Sequence, residues 1–350
     1  MAWELAVILA CAIAVSFVLG IVFGLPRTHS KQTRRLGGGL LILGGVLSAG
    51  GVAWAIWAFF ELLGSLGTSK GRVLRLQGRA RVARRALGTG WADEAMPEVS
   101  GLTAWQRTVL GELWMYSARM EHASVPAFAK LSLRLSALGA PSELLEDCHL
   151  AALDEVRHAR RCFALARAYS GMSWTAGPIP ELGQDGGRPT ATASEDDWAR
   201  LARGSLLDGC LAEGMASLVA AEGSRRASDP VVRETLSVIA EDEGRHAELG
   251  WDVLDFALER GGGSAKAGLR RALAELDSRS TPSLPAIPGM DEDFLARNGL
   301  LPQAELGHWM GVCIQQTRAR ALALLEPDSA PQLASGGWSQ LPAGDFERRM

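Results

Sequence analysis

Two strings of five residues constrain this chain more than any other feature. Asp154-Glu155-Val156-Arg157-His158 and Asp242-Glu243-Gly244-Arg245-His246 both read D-E-x-R-H. On a helix, positions i and i+3 share a face, so each string can present one carboxylate and one imidazole to the same point. A single E-x-x-H is usually a solvated acid beside an incidental histidine. Two copies, each with a glutamate set at a similar distance upstream, are a different matter.

Glu121 lies 34 residues before Glu155, and Glu213 lies 30 before Glu243. The helical face of Glu121 also carries Trp114, Ala118, Val125 and Phe128, and that of Glu213 carries Leu206, Gly209, Ala216 and Ala220. A glutamate on an apolar face is expected to be buried. A buried, unpaired carboxylate costs several kcal/mol, roughly, unless a cation or a proton compensates it. A metal ion is the economical compensation. Hard carboxylate oxygens with one imidazole per ion suit iron or manganese better than a thiolate-rich zinc site, and the zinc-protease pattern H-E-x-x-H is absent.

The surrounding sequence predicts helices at about 103–138, 142–169, 194–226 and 230–260. Gly139-Ala140-Pro141 terminates the first, Ser194 followed by three acids opens the third, and Asp229-Pro230 opens the fourth. Short turns join the first helix to the second and the third to the fourth, which makes two antiparallel hairpins. The Gly/Pro-rich connector from Gly171 to Ala193 is, at about 3.3 Å per extended residue, long enough to cross a bundle of roughly 40 Å. Further helices are expected at 265–276 and 303–325, and no segment reads as a strand.

Residues 102–260 resemble the ferritin-like di-iron carboxylate superfamily, which includes rubrerythrins, bacterioferritins, ribonucleotide reductase small subunits and fatty-acyl desaturases. The resemblance rests on the order and spacing of six positions and covers under half of the chain. It implies an all-α, four-helix bundle with one long crossover and metal ligands at Glu121, Glu155, His158, Glu213, Glu243 and His246. It also implies that Asp154 and Asp242 bond the far nitrogen of a ligand histidine. Two iron ions, or manganese, would be the cofactors. Members of the family oxidise iron(II) with dioxygen or peroxide and in some cases pass that oxidising power to a substrate.

The N-terminal part reads differently. Leu5–Leu25 and Leu36–Phe60 are runs of 21 and 25 residues without a charge, each near the roughly 20 residues a helix needs to cross a bilayer. A cleaved signal peptide fits poorly, because the leader carries Glu4 and no Lys or Arg. Small residues recur at Ala12, Ser16, Gly20 and Gly24 and again at Gly45, Ala49 and Ala53, which suits a hairpin of spans or a homodimer. More basic residues follow the second span than separate the two, so both termini and the soluble domain are expected in the cytoplasm. Val73, Leu76, Ala80, Ala83 and Leu87 recur at helical spacing among arginines, which suggests either a helix on an anionic membrane surface or a solvated basic linker. The expected division is therefore 1–64 for the spans, 65–101 for the basic segment and linker, 102–325 for the metal domain with its C-terminal helices, and 326–350 for a loose tail.

The remaining candidates are weaker. His122 points about 100° away from Glu121 and is expected beside the site or in solvent. Pro126 frees the carbonyl of His122 and either kinks the helix or is tolerated. Cys148 and Cys162, one heptad either side of Glu155, read first as small core residues. Tyr116 sits off the ligand face, and Glu112 and Glu222 read as surface acids. Five cysteines without a close pair give no disulfide framework, and a net charge of −3 gives no electrostatic case for nucleic acid. The expected function is a membrane-tethered di-iron oxidoreductase served by an external electron donor, since no C-x-x-C pair offers an internal one. Iron oxidation and a non-enzymatic iron-sensing or scaffold module at the membrane are the alternatives.

Overall fold

The structure is a computed structural model that describes residues 71–182 except 77 and 92, then 196–277 and 290–326. Both apolar runs expected to span a membrane lie outside the described residues, as does the tail beyond Glu326. Among the described residues no helix is long and apolar enough to cross a membrane.

Helices dominate. Helix α1 spans Ala104–Ala137 and opens with a capping box, in which Gln106 N–H donates to Thr103 Oγ1 and Thr103 N–H donates to Gln106 Oε1. Helix α2, Ser142–Ser170, closes on Gly171, whose φ of 71° lets its N–H reach back to the Arg167 carbonyl. Helix α3, Asp197–Gly204, runs on through a π-helical segment, Ser205–Leu211, into α4, Ala212–Arg226, with helical dihedrals at both junctions. Its N-cap is Asp196, which accepts from Trp198 N–H, and not Ser194, which lies outside the described residues. Helix α5, Pro230–Asp277, starts where Asp229 caps two backbone N–H groups. It continues past the expected end at Arg260, and the helix expected at 265–276 is its second half, reached through a break at Gly262 (φ 53°, ψ −125°). Two helices follow, α6 at Glu292–Arg297 and α7 at Gln303–Leu325.

Helix α1 packs along α2, and the α3–π–α4 rod packs along α5, while α2 also meets α5. The shared interior is apolar, with Phe128, Phe163, Leu165, Leu206, Leu211 and Trp251 almost wholly buried. Full burial of side chains this large stabilises by roughly 1.5–3 kcal/mol each. Beside the cluster, rod and α5 meet closely at two glycines. A Cβ on Gly250 would lie 2.7 Å from Cys210 N, and one on Gly209 would lie 2.9 Å from Gly250 Cα. This contact brings Glu213, just after the π segment, level with Glu243.

The basic segment before α1 is not a helix, and the chain does contain strands. β1 (Arg75–Leu76) pairs antiparallel with β2 (Arg79–Ala80), and β3 (Arg85–Leu87) pairs with β4 (Trp174–Ala176) from the connector. Gly78, at φ 77°, turns the first pair. Burial follows the period-2 pair Leu74 and Leu76, while Ala80 and Leu87 of the helical pattern are exposed. The helical spacing was therefore coincidental. Nor is the segment a solvated linker, because it is fastened to α1. Ser124 Oγ donates to the Arg72 carbonyl at 2.7 Å, Arg119 Nε to Ala83 at 2.8 Å and Lys130 Nζ to Arg75 at 3.1 Å.

Candidate metal centre

Four helices converge on one buried cluster of carboxylates and imidazoles. Glu121 comes from α1, Glu155 and His158 from α2, Glu213 from the first turn of α4, and Glu243 and His246 from α5. All six expected ligands are buried, Glu155 and Glu213 completely. They fall into two overlapping groups, Glu121–Glu155–His158–Glu243 and Glu155–Glu213–Glu243–His246. Within each group the candidate donor atoms lie within 4.8 Å of one another, and either group could hold a metal ion. Glu155 and Glu243 belong to both.

The spacings suit coordination. His158 Nδ1 is 3.7 Å from Glu155, 3.9 Å from Glu243 and 4.0 Å from Glu121. His246 Nδ1 is 3.3 Å from Glu243 and 3.5 Å from Glu155. Donors about 2.1 Å from one ion sit roughly 3 Å apart at right angles and about 4.2 Å apart when opposite. More telling is what these atoms lack. Both carboxylate oxygens of Glu155, Glu213 and Glu243, and Nδ1 of His158 and of His246, are buried without a hydrogen-bond partner. Buried polar atoms are nearly always satisfied, and a metal ion is the partner this donor set fits.

The outer nitrogens of the histidines are satisfied, and the pairing is crossed. His158 Nε2 bonds Asp242 at 2.8 Å, and His246 Nε2 bonds Asp154 at 3.3 Å, so the aspartate of each string serves the histidine of the other. Arg157 in turn pairs with Asp154, and Arg245 pairs with Asp242 and reaches Asp154. Every lettered position of D-E-x-R-H thus has work in the site.

Without metal, protons balance the cluster. Burial pushes His158 towards neutrality, but Asp242, Glu155 and Glu121 overcome it and hold the imidazole protonated up to about 10. His246, equally buried, is held well above its ordinary value by Glu155 and Glu243. Burial pushes Glu155 up, yet the two imidazoles pull it down to about 2. Glu213 is raised well above the usual carboxylate range by burial and by Glu243. A metal entering here must displace protons.

The other candidates sort clearly. His122 stays outside both ligand groups, its ring edge-on to Trp91 at 4.5 Å. Helix α1 passes Pro126 without ending. Cys148 is a core thiol, 3.3 Å from the Phe128 carbonyl and pushed by burial up to about 11. Cys162 is also buried, but it lines a cavity of about 50 Å³ together with Trp114, Ala220, Ile239 and the candidate ligands Glu121 and Glu243. Glu112 pairs with Arg85, and Glu222 with Arg225 and Arg226.

Two residues of the site have no signal in the sequence. Gly71 lies against the cluster so closely that a Cβ there would come within 2.0 Å of Glu213 Oε2 and 3.0 Å of Glu243 Oε2. Arg72 places Nε 3.8 Å from Glu213 and its guanidinium 5.0 Å from the Phe128 ring, which is itself edge-on to His246. Gly71 and Arg72 read as linker, and only the fold carries them to the cluster. The π-helical segment ahead of Glu213 was equally unforeseen, although such segments often mark functional sites.

Fold and cluster together define an all-α protein with a buried carboxylate–histidine site able to hold metal. Comparison with protein-family models, curated proteins and solved structures gave no match.

Proposed function

We propose that the chain is a membrane-anchored member of the ferritin-like di-iron carboxylate superfamily, an oxidoreductase that activates dioxygen or peroxide at a pair of iron ions. The observation that carries this reading is the set of orphaned donor atoms on three of the four converging helices, with Glu121 of the fourth beside them. In it Glu155 and Glu243, which belong to both donor groups, would serve both ions, with Glu121 and His158 holding one and Glu213 and His246 the other. Manganese suits the same donors. Iron so held supplies electrons to the oxidant.

The protein's own residues do the remainder. Asp242 and Asp154 fix the tautomers of His158 and His246, leaving Nδ1 of each free for metal. The apolar core excludes bulk water. The cavity at Glu121 and Glu243 supports chemistry over a purely structural role for the metal, since a scaffold needs no opening there. Its volume of about 50 Å³ narrows the guest. One water occupies roughly 10–15 Å³ by such a measure, so dioxygen or peroxide fits. Re-reduction falls to an external electron donor, and the two N-terminal runs would tether the domain to the cytoplasmic side of a bilayer, singly or as a homodimer.

The test is to load the full-length protein anaerobically with iron(II) and admit air. Oxygen uptake with a growing near-ultraviolet absorption is expected. Two bound irons that consume no oxygen or peroxide would defeat the oxidoreductase reading and leave a metal-stapled scaffold.

A further inference from the structure

Charge accounting at the centre leaves one cation over. Four glutamates cancel two divalent ions, and the histidines, as ligands, are neutral. Asp154 and Asp242 are matched by Arg157 and Arg245. Arg72 remains. Its side chain is only 8% exposed, and Glu213 is its only counter-ion among the described residues. With metal bound, Glu213 serves the ion and does not neutralise Arg72. A buried charge without a partner is strongly destabilising.

The geometry gives the same answer. Nε and Nη2 of Arg72 are buried with no hydrogen-bond partner, and the 3.8 Å approach to Glu213 is an ion pair without a hydrogen bond. The guanidinium is held where it is. Its backbone carbonyl accepts from Ser124, its Cζ lies over the Phe128 ring, and Gly209 leaves room for Nη2, which a Cβ there would approach to 2.9 Å. A fixed planar fork with two free N–H donors beside a cation-binding cluster is the arrangement that recognises an oxyanion or similar small anion.

We infer that Arg72 forms, with the metal pair, a binding subsite for one small monoanion of the class of hydroxide, hydroperoxide or a short carboxylate. This rests on the metal reading above. It assigns the basic strap before α1 a part in the chemistry that its sequence does not suggest, because the strap supplies the donor that holds an anionic oxidant or product beside Glu213. Arg72 is a positioning residue in this account, and azide is a suitable probe anion.

The experiment uses the full-length chain loaded with cobalt(II), which is visible and does not react with air as iron(II) does. Cobalt content is measured first, and azide is then titrated while the visible spectrum is followed. The expected result is two cobalt ions per chain in wild type, Arg72→Gln and Arg72→Lys alike. Azide affinity should fall roughly tenfold or more in Arg72→Gln, the range for losing a charged hydrogen bond, and less in Arg72→Lys. Equal azide affinity in wild type and a fully loaded Arg72→Gln would overturn the subsite and leave the metal reading intact. So would a wild-type protein with two cobalt ions that ignores azide. Loss of cobalt from Arg72→Gln would make Arg72 a prop for Glu213 and overturn the anion assignment as well. A wild-type chain that takes up no cobalt would overturn both readings.

Discussion

His158 Nε2 lies 2.8 Å from Asp242 Oδ2, although the two residues are 84 positions apart and sit on different helices. The reciprocal pair, His246 and Asp154, makes the same link in the opposite direction. Helices α2 and α5 are thus cross-tied through the aspartates that orient the two candidate ligand histidines. Disturbing one aspartate should therefore be felt at the other helix's histidine.

That gives the first prediction. Asp242→Asn keeps the size but removes the charge that fixes His158. Metal affinity should drop by about 10–100-fold, the usual cost of losing such an outer partner, and the weakened ion should be the one bound by Glu121 and His158. Titration with manganese(II) followed by electron paramagnetic resonance should resolve one weakened site and one near-normal site. Two unaffected sites would show that the cross-tie does not matter.

Protons supply the second prediction. His158 has a folded-state value raised to about 10, and His246 is raised in the same direction. A raised value means stabilisation that is complete below the ordinary histidine value near 6.5 and is lost as pH climbs towards 10. The metal-free protein should accordingly lose thermal stability over that window, while metal binding, which must expel those protons and the one on Glu213, should tighten over it. The gap between metal-loaded and metal-free melting temperatures should widen with pH. Calorimetry in buffers of different ionisation enthalpy should also register proton release on manganese binding. A constant gap with no proton release would refute the protonation scheme.

The helical frame was legible in the sequence because local signals and periodicity agreed. Gly139-Ala140-Pro141 and Asp229-Pro230 mark helix boundaries that the structure retains, and the glutamates set into apolar faces are the ones the fold gathers into the buried cluster. Where legibility failed, the cause was tertiary. Val73, Leu76, Ala80, Ala83 and Leu87 matched a helical period, yet hydrogen bonds from Ser124, Arg119 and Lys130 draw that segment into an extended strap. Nothing local to Gly71 or Arg72 foretells that the strap ends on Glu213. The π-helical segment at Ser205–Leu211 lies where Gly209 meets Gly250, a pairing that no single helix reveals.

That contact is itself testable. Gly250→Ala would push a methyl group to 2.7 Å from Cys210 N and 2.9 Å from Gly209 C, backbone atoms with little freedom to yield. Overpacking of this kind costs typically about 1–3 kcal/mol. The thermal midpoint should fall by about 3–10 °C, and Glu213 should be displaced enough to weaken the second ion. An unchanged midpoint would mean that the two helices slide apart at little cost.

The cavity makes a fourth case. Ala220→Leu places bulk in the space between Trp114, Ile239 and the ligands Glu121 and Glu243 without replacing any ligand. Iron content should stay the same while oxidation by dissolved oxygen slows, by about tenfold if this is the main route in. Stopped-flow absorption after mixing with oxygenated buffer reads the rate directly. An unchanged rate would mean that the oxidant enters elsewhere.

The most direct test of the central claim is metal stoichiometry in the full-length protein, loaded anaerobically with iron(II) and desalted, beside the double variant His158→Ala/His246→Ala. Two irons per chain in the wild type and none retained by the variant is the result expected from the orphaned donor atoms of Glu155, His158, Glu213, Glu243 and His246. A wild-type chain that retains no metal, or a double variant that retains both ions, would contradict it.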